Sequence, residues 1–213
     1  LKSIIIIEKP IISLLKFKNR YKGFLTKLFK KNKKIVVCYP YLFLAKSFKN
    51  FCYPIKKIKK INFEFQTGGN SKFKKICINL MPHALSFFHI FFNKKFIKHK
   101  INKNKLLVKK NIWQTSFKFG KITINLIFKE NYLKKTSLKL TVNDLKLIRK
   151  TKINKGKFIN YIHNYKTKKD LEINNPMEEF YKNLMRNIHN EKYFLDNKNL
   201  TLNIMKKNYF FLN

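Results

Sequence analysis

The chain has 213 residues, enough to bury a core in one or two domains, and 45% apolar with 15% aromatic residues is too rich for a disordered tail. Its formal charge is +39, which suggests an anionic partner, yet only three of the 49 basic residues are arginine: Arg20, Arg149 and Arg186. Lys, Asn, Ile, Phe and Tyr are inflated while Gly, Ala and Arg are scarce, the signature of AT-rich coding, so drift accounts for much of the charge.

"IIIIEKPIIS" (4–13) opens with an apolar, β-branched run that ends on Glu8, Lys9 and Pro10. Residues 3–7 read as a fully buried parallel strand, and Glu8 and Lys9 interrupt any signal peptide. The chain opens on Leu rather than Met, which points to a fragment or an unusual start. Ser13 can cap a helix, and Leu14, Phe17, Tyr21, Phe24, Leu25 and Leu28 carry helical spacing to about residue 30. A loop at 32–34 leads to a second buried strand, "IVVCY" (35–39). Strand, helix, strand is the crossover unit of a parallel sheet.

Beyond residue 55 the period changes to two. Ile61, Phe63 and Phe65 alternate with polar neighbours, as do Ile122, Ile124, Leu126 and Phe128, and Leu138, Leu140 and Val142. These are half-buried strands of an antiparallel sheet, and Asn143-Asp144 is a turn into a return strand. "MPHALSFFHIFF" reads as a helix over 82–92 with Pro82 in its first turn, and "KHKINKNK" (98–105) as a solvated loop. Pro176, followed by Glu178 and Glu179, starts a helix that runs to about Ile188. A last helix spans roughly 198–209. Cys38, Cys52 and Cys77 lack C-x-x-C spacing and read as reduced thiols of a cytosolic protein, and the five histidines show no metal-like spacing. No apolar stretch is long enough to span a bilayer.

Four features in order resemble the Gfo/Idh/MocA oxidoreductases. They are the strand ending in Glu8-Lys9-Pro10, "IVVCYPYLF" (35–43) in place of a strand that leads into a second domain, "INLMPHALSFF" (78–88) in place of a D-x-x-x-H-x-x-D stretch, and "INNPMEEFYKNLMRNI" (173–188). The resemblance implies an α/β chain: residues 1–33 as the C-terminal remnant of a Rossmann domain, and 34–213 as an α+β domain with a mostly antiparallel open sheet. It implies hydride transfer between NAD or NADP and a sugar, sugar derivative or cyclitol. By carry-over Lys9 hydrogen-bonds the reacting oxygen and His83 is the general acid/base, its neutral form favoured at a helix N-terminus. Glu8, Lys9 and Pro10 line the cofactor, and Asn79 and Ser86 contact substrate. It also implies a homo-oligomer through the open sheet.

Two departures stand beside this. Asn79 and Ser86 replace the motif's two aspartates, so Asn79 cannot stabilise a charged neighbour. None of Gly23, Gly68, Gly69, Gly120 and Gly156 makes the phosphate-binding G-x-G-x-x-G, so most of the dinucleotide-binding half, on the order of a hundred residues, is missing, and the chain is expected to be inactive alone. The alternative is a basic RNA-binding protein of ribosomal type from an AT-rich genome. Stacking aromatics would then stand exposed among lysines, whereas Phe63, Phe65, Phe128 and the 87–92 cluster occupy core-like positions, which argues against nucleic acid.

Overall fold

The computed structural model describes residues 3–8, 20–52, 55, 57–97, 99, 101–154 and 157–212. Strand β1 (Ile5–Ile7) pairs in parallel with β2 (Ile35–Val37) through helix α1 (Tyr21–Lys31), the crossover expected of 3–39. This small sheet takes one strand from each side of residue 33. Ile35, Val37 and Tyr39 face the main core with Leu25 and Phe29, while Val36 and Cys38 face a second cluster built on Phe180, Leu184 and Phe194.

The strand 3–7 was expected to be fully buried, and it is not. Ile5 and Ile6 are each 42% exposed, because among the described residues β2 is the sole strand beside β1. A continuous apolar run records a need for cover on both faces, and here one strand supplies part of it.

After helix α2 (Tyr41–Cys52) the chain builds a second sheet of eight strands. These are β3 (Lys60–Thr67), β4 (Asn102–Lys109), β5 (Ile112–Phe119), β6 (Ile122–Glu130), β7 (Ser137–Val142), β8 (Leu145–Asn154), β9 (Lys157–Asn164) and β10 (Lys169–Ile173). Their order is β10-β9-β8-β7-β3-β6-β5-β4, and every pairing but β3–β6 is antiparallel. The alternating residues named above form the core face: Ile61, Phe63, Phe65, Ile124, Leu126, Phe128, Leu138, Leu140 and Val142 are buried. The stretch 98–105 is not all loop, since Asn102 onward belongs to β4. An edge strand tolerates lysines because one side of its backbone faces water.

Helix α3 (Lys74–Phe91) lies on the core face, with Phe87 and Phe88 against Phe63 at ring-centroid distances of 5.2 and 5.3 Å. It begins eight residues before the expected start, so Pro82 sits in its interior, not in its first turn, and His83 is mid-helix rather than at the N-terminal end. An interior proline removes the N–H that would bond the carbonyl four residues back, a cost of about 3 kcal/mol or more. That carbonyl belongs to Ile78, and Asn208 Nδ2 donates to it at 3.3 Å, replacing the lost donor.

Asn208 comes from the last helix. Helix α4 (Pro176–Arg186) starts as expected, with Asn175 accepting from Met177 N and with Glu178 and Glu179 in its first turn. Helix α5 (Glu191–Leu212) begins seven residues before the expected start. Its inward stripe at 197, 201, 204, 208 and 211 carries Asn, Thr and Asn, which blurs the apolar period. The polar groups are used: Asn197 Oδ1 accepts from Val37 N at 2.8 Å, and its Nδ2 donates to Val37 O at 3.0 Å. One amide side chain thereby closes the edge of β2 that faces away from β1. The three cysteines are buried, and no helix is long and apolar enough to cross a membrane among the described residues.

Candidate active site

Pro40 turns the chain out of β2, and its carbonyl accepts from Phe43 N and Leu44 N, which places Tyr41 at the first position of α2. Tyr41 points inward and is buried. Its ring meets the His83 ring edge-on at 4.4 Å between centroids and the Phe65 ring at 5.2 Å, and Phe65 lies 5.2 Å from His83. His83 is thus held in an aromatic corner made by α2, β3 and α3, with part of its surface still open.

The sheet register brings a cation to the same corner. Phe65 pairs with Leu138, and Leu138 with Arg149, so all three stand in one row on the helix-facing side. The Arg149 guanidinium lies close to the Tyr41 hydroxyl. Arg149 Nη2 donates to Asn160 Oδ1 at 2.8 Å, and Thr151 Oγ1 donates to the same oxygen at 3.1 Å. Burial pushes the Tyr41 phenol well above its ordinary range, and the Arg149 charge offsets only part of that, so Tyr41 stays a neutral hydroxyl at physiological pH. The corner therefore offers an imidazole, a neutral phenol beside it, and a fixed positive charge next to the phenol.

The other expected site residues are placed as follows. Glu8 is exposed directly after β1, while Lys9 and Pro10 lie outside the described residues. Asn79, one turn before His83, donates through Nδ2 to Ser71 Oγ at 2.6 Å, and Glu130 accepts from Ser71 N at 2.5 Å, so Asn79 ties the loop after β3 to α3. Ser86 is 0% exposed and donates to the His83 carbonyl at 3.0 Å, so it presents no surface to a cleft. Tyr41, Arg149, Thr151 and Asn160 were missed from the sequence. Arg149 carried a readable signal: in "LKLIRKTKI" it shares the parity of Leu145 and Leu147, the inward parity, and it is one of three arginines among 49 basic residues.

A dinucleotide needs backbone N–H groups at a glycine-rich turn before a helix. The described glycines supply no such cradle. Gly23 is inside α1, Gly120 is in the β5–β6 turn at φ 58°, and a side chain at Gly69 would strike the Glu130 carboxylate, whose charge repels phosphate. The described residues therefore do not fit the phosphate end of NAD(P). Nor do any three His, Cys, Asp or Glu side chains among them gather as metal ligands do. A cavity of about 240 Å³ opens between α2 and α4, lined by Lys46, Glu179 and Arg186 among others, and it holds none of the expected site residues.

No family model matches the sequence, and no curated protein matches it. Solved structures do match the fold, among them dehydrogenases and reductases. A dehydrogenase (MviM) from Clostridium difficile aligns over 96% of this chain and 71% of its own, with a TM-score of 0.57 at 12% identity. KijD10, a 3-ketoreductase from Actinomadura kijaniata solved with NADP, aligns over 95% and 66%, with a TM-score of 0.62 at 7% identity. A Gfo/Idh/MocA family oxidoreductase from Vibrio cholerae aligns over 95% and 68%, with a TM-score of 0.55 at 7% identity. The fold is thus the one found in Gfo/Idh/MocA oxidoreductases, as the sequence motifs led us to expect, and the chain spans about two thirds of the length of these neighbours. At such identities the likeness is one of fold.

Proposed function

We propose that this chain is the substrate-binding part of an NAD(P)-dependent oxidoreductase that acts at a secondary alcohol or ketone of a sugar, sugar derivative or cyclitol. The observation that carries the reading is His83, the motif's histidine, set against Tyr41, whose hydroxyl lies near Arg149 on the inner face of the sheet. In this reading His83 takes or gives the hydroxyl proton, and Lys9 hydrogen-bonds the reacting oxygen. Glu8, Lys9 and Pro10 line the nicotinamide, which supplies or accepts the hydride. Asn79 acts on His83 indirectly, by fixing the start of its helix through Ser71. Residues 1–33 form the dinucleotide-side remnant and 34–213 the substrate domain. The outward face of the eight-stranded sheet, where Ile127, Glu64, Lys139 and Ile148 form one row, is the surface for self-association, and the protein works in the cytoplasm.

The test is an NMR titration of the chain with glucose, glucuronate and myo-inositol, following the His83 ring resonances. Saturable shifts at His83 that vanish in His83→Ala are expected. A His83 ring unmoved by the whole panel overturns the reading. Calorimetric titration with NAD and NADP is expected to show no saturable binding tighter than about 1 mM, since the described residues form no phosphate cradle.

A further inference from the structure

Among the described residues Arg149 is a half-buried cation without a counter-ion. All ten Asp and Glu side chains of the protein are described, and none makes an ion pair with it. Its neighbours are neutral: the Tyr41 hydroxyl and Asn160 Oδ1. Among the described residues its Nε, buried, meets no hydrogen-bond acceptor. A guanidinium taken part-way out of water loses hydration that two neutral neighbours replace only in part. The shortfall is an anion's worth of interaction, and it lies one side chain away from His83. Drift toward lysine elsewhere makes the residue type notable too, because only arginine presents a planar fork.

We propose that Arg149 binds a carboxylate on the ligand, so that the substrate of this site is an acidic sugar or cyclitol rather than a neutral one. The inference rests on the function proposed above and names its substrate class. A carboxylate fits better than a phosphate. The described corner offers one positive charge, which balances one negative charge, and it has no array of backbone N–H groups to meet a dianion. Asn160 Oδ1, which also accepts from Thr151 Oγ1, engages the guanidinium through Nη2 alone.

The experiment uses the whole chain labelled with ¹⁵N. Three arginines give three side-chain Nε–Hε signals, and Arg149→Lys assigns the one that matters. Glucuronate, glucose and glucose 6-phosphate are titrated at about 150 mM salt, where the Debye length of about 8 Å screens the general positive charge. The Arg149 signal is expected to move saturably with glucuronate and to stay still with glucose, while Arg20 and Arg186 do not respond. Arg149→Lys keeps the charge but not the fork, and is expected to weaken glucuronate binding by about tenfold or more. Silence of the Arg149 signal up to about 10 mM glucuronate overturns the proposal. So does equal movement of all three arginine signals, or glucose 6-phosphate binding as tightly as glucuronate. If His83 responds to neutral sugars while Arg149 ignores glucuronate, the oxidoreductase reading stands and this one falls. If Arg149 binds glucuronate while His83 never responds, the anion site stands without that reading. The wild-type titration alone decides the matter should Arg149→Lys fail to fold.

Discussion

The two sheets solve the same problem in different ways. The eight-stranded sheet hides one face under α2, α3 and α5 and leaves the other half-open, so its strands alternate. The small sheet has three-residue strands, one filled edge and one open edge, and its apolar residues run consecutively. Alternation identifies both faces of a strand at once. A consecutive run says only that both faces avoid water, and nothing about what meets them.

The largest expected effect tests that contrast directly. Phe63→Ala removes a fully buried ring that touches Phe87 and Phe88, and should cost about 4 kcal/mol in urea unfolding. Ile5→Ala, in a residue apolar enough to look like core, should cost under about 1 kcal/mol. Equal losses would mean that β1 is covered as well as β3 is.

Next come the asparagines of α5. Asn197→Ala strips two backbone bonds from Val37 and should cost about 2–3 kcal/mol, read as a shift of the urea midpoint without a change in slope. Asn208→Ala leaves the Ile78 carbonyl without its donor and should cost about 1–2 kcal/mol. In a Pro82→Ala background the restored helix N–H supplies that donor, so the Asn208→Ala cost should fall by more than half. A double-mutant cycle with no coupling would refute the pairing.

The smallest effect belongs to the outward face. Burial alone would raise the Glu64 carboxyl, but the hydrogen bond and charge of Lys129, with Lys139 beside it, bring the net shift below the ordinary range. A folded-state value below the unfolded one gives stability at neutral pH that is lost as pH falls through the folded value. Glu64→Gln should therefore cost under about 1 kcal/mol at pH 7, and the gap to wild type should close below about pH 4. A gap that persists in acid would mean packing, not charge.

The sequence shows β3, β6 and β7 by parity, and α4 by its asparagine cap and acids. It does not show the true start of α3, because Pro82 is a reliable stop until a donor from 126 residues later answers the Ile78 carbonyl. The start of α5 is hidden for the matching reason: Asn197 and Asn208 look like surface residues until their backbone partners are placed beside them. In the site, His83 was legible from its motif. Tyr41 and Asn160 were not, since a tyrosine after a proline and an asparagine in a strand have many uses. Arg149 was legible by parity, as the one charged residue on the inward row of "LKLIR".

Asn197 has a consequence for valence. By filling one edge of β2 it leaves the small sheet a single described edge at which another strand can add, that of β1. A strand that adds to this sheet is thereby directed to β1, whose Ile5 and Ile6 are each 42% exposed, and not to the far side of β2.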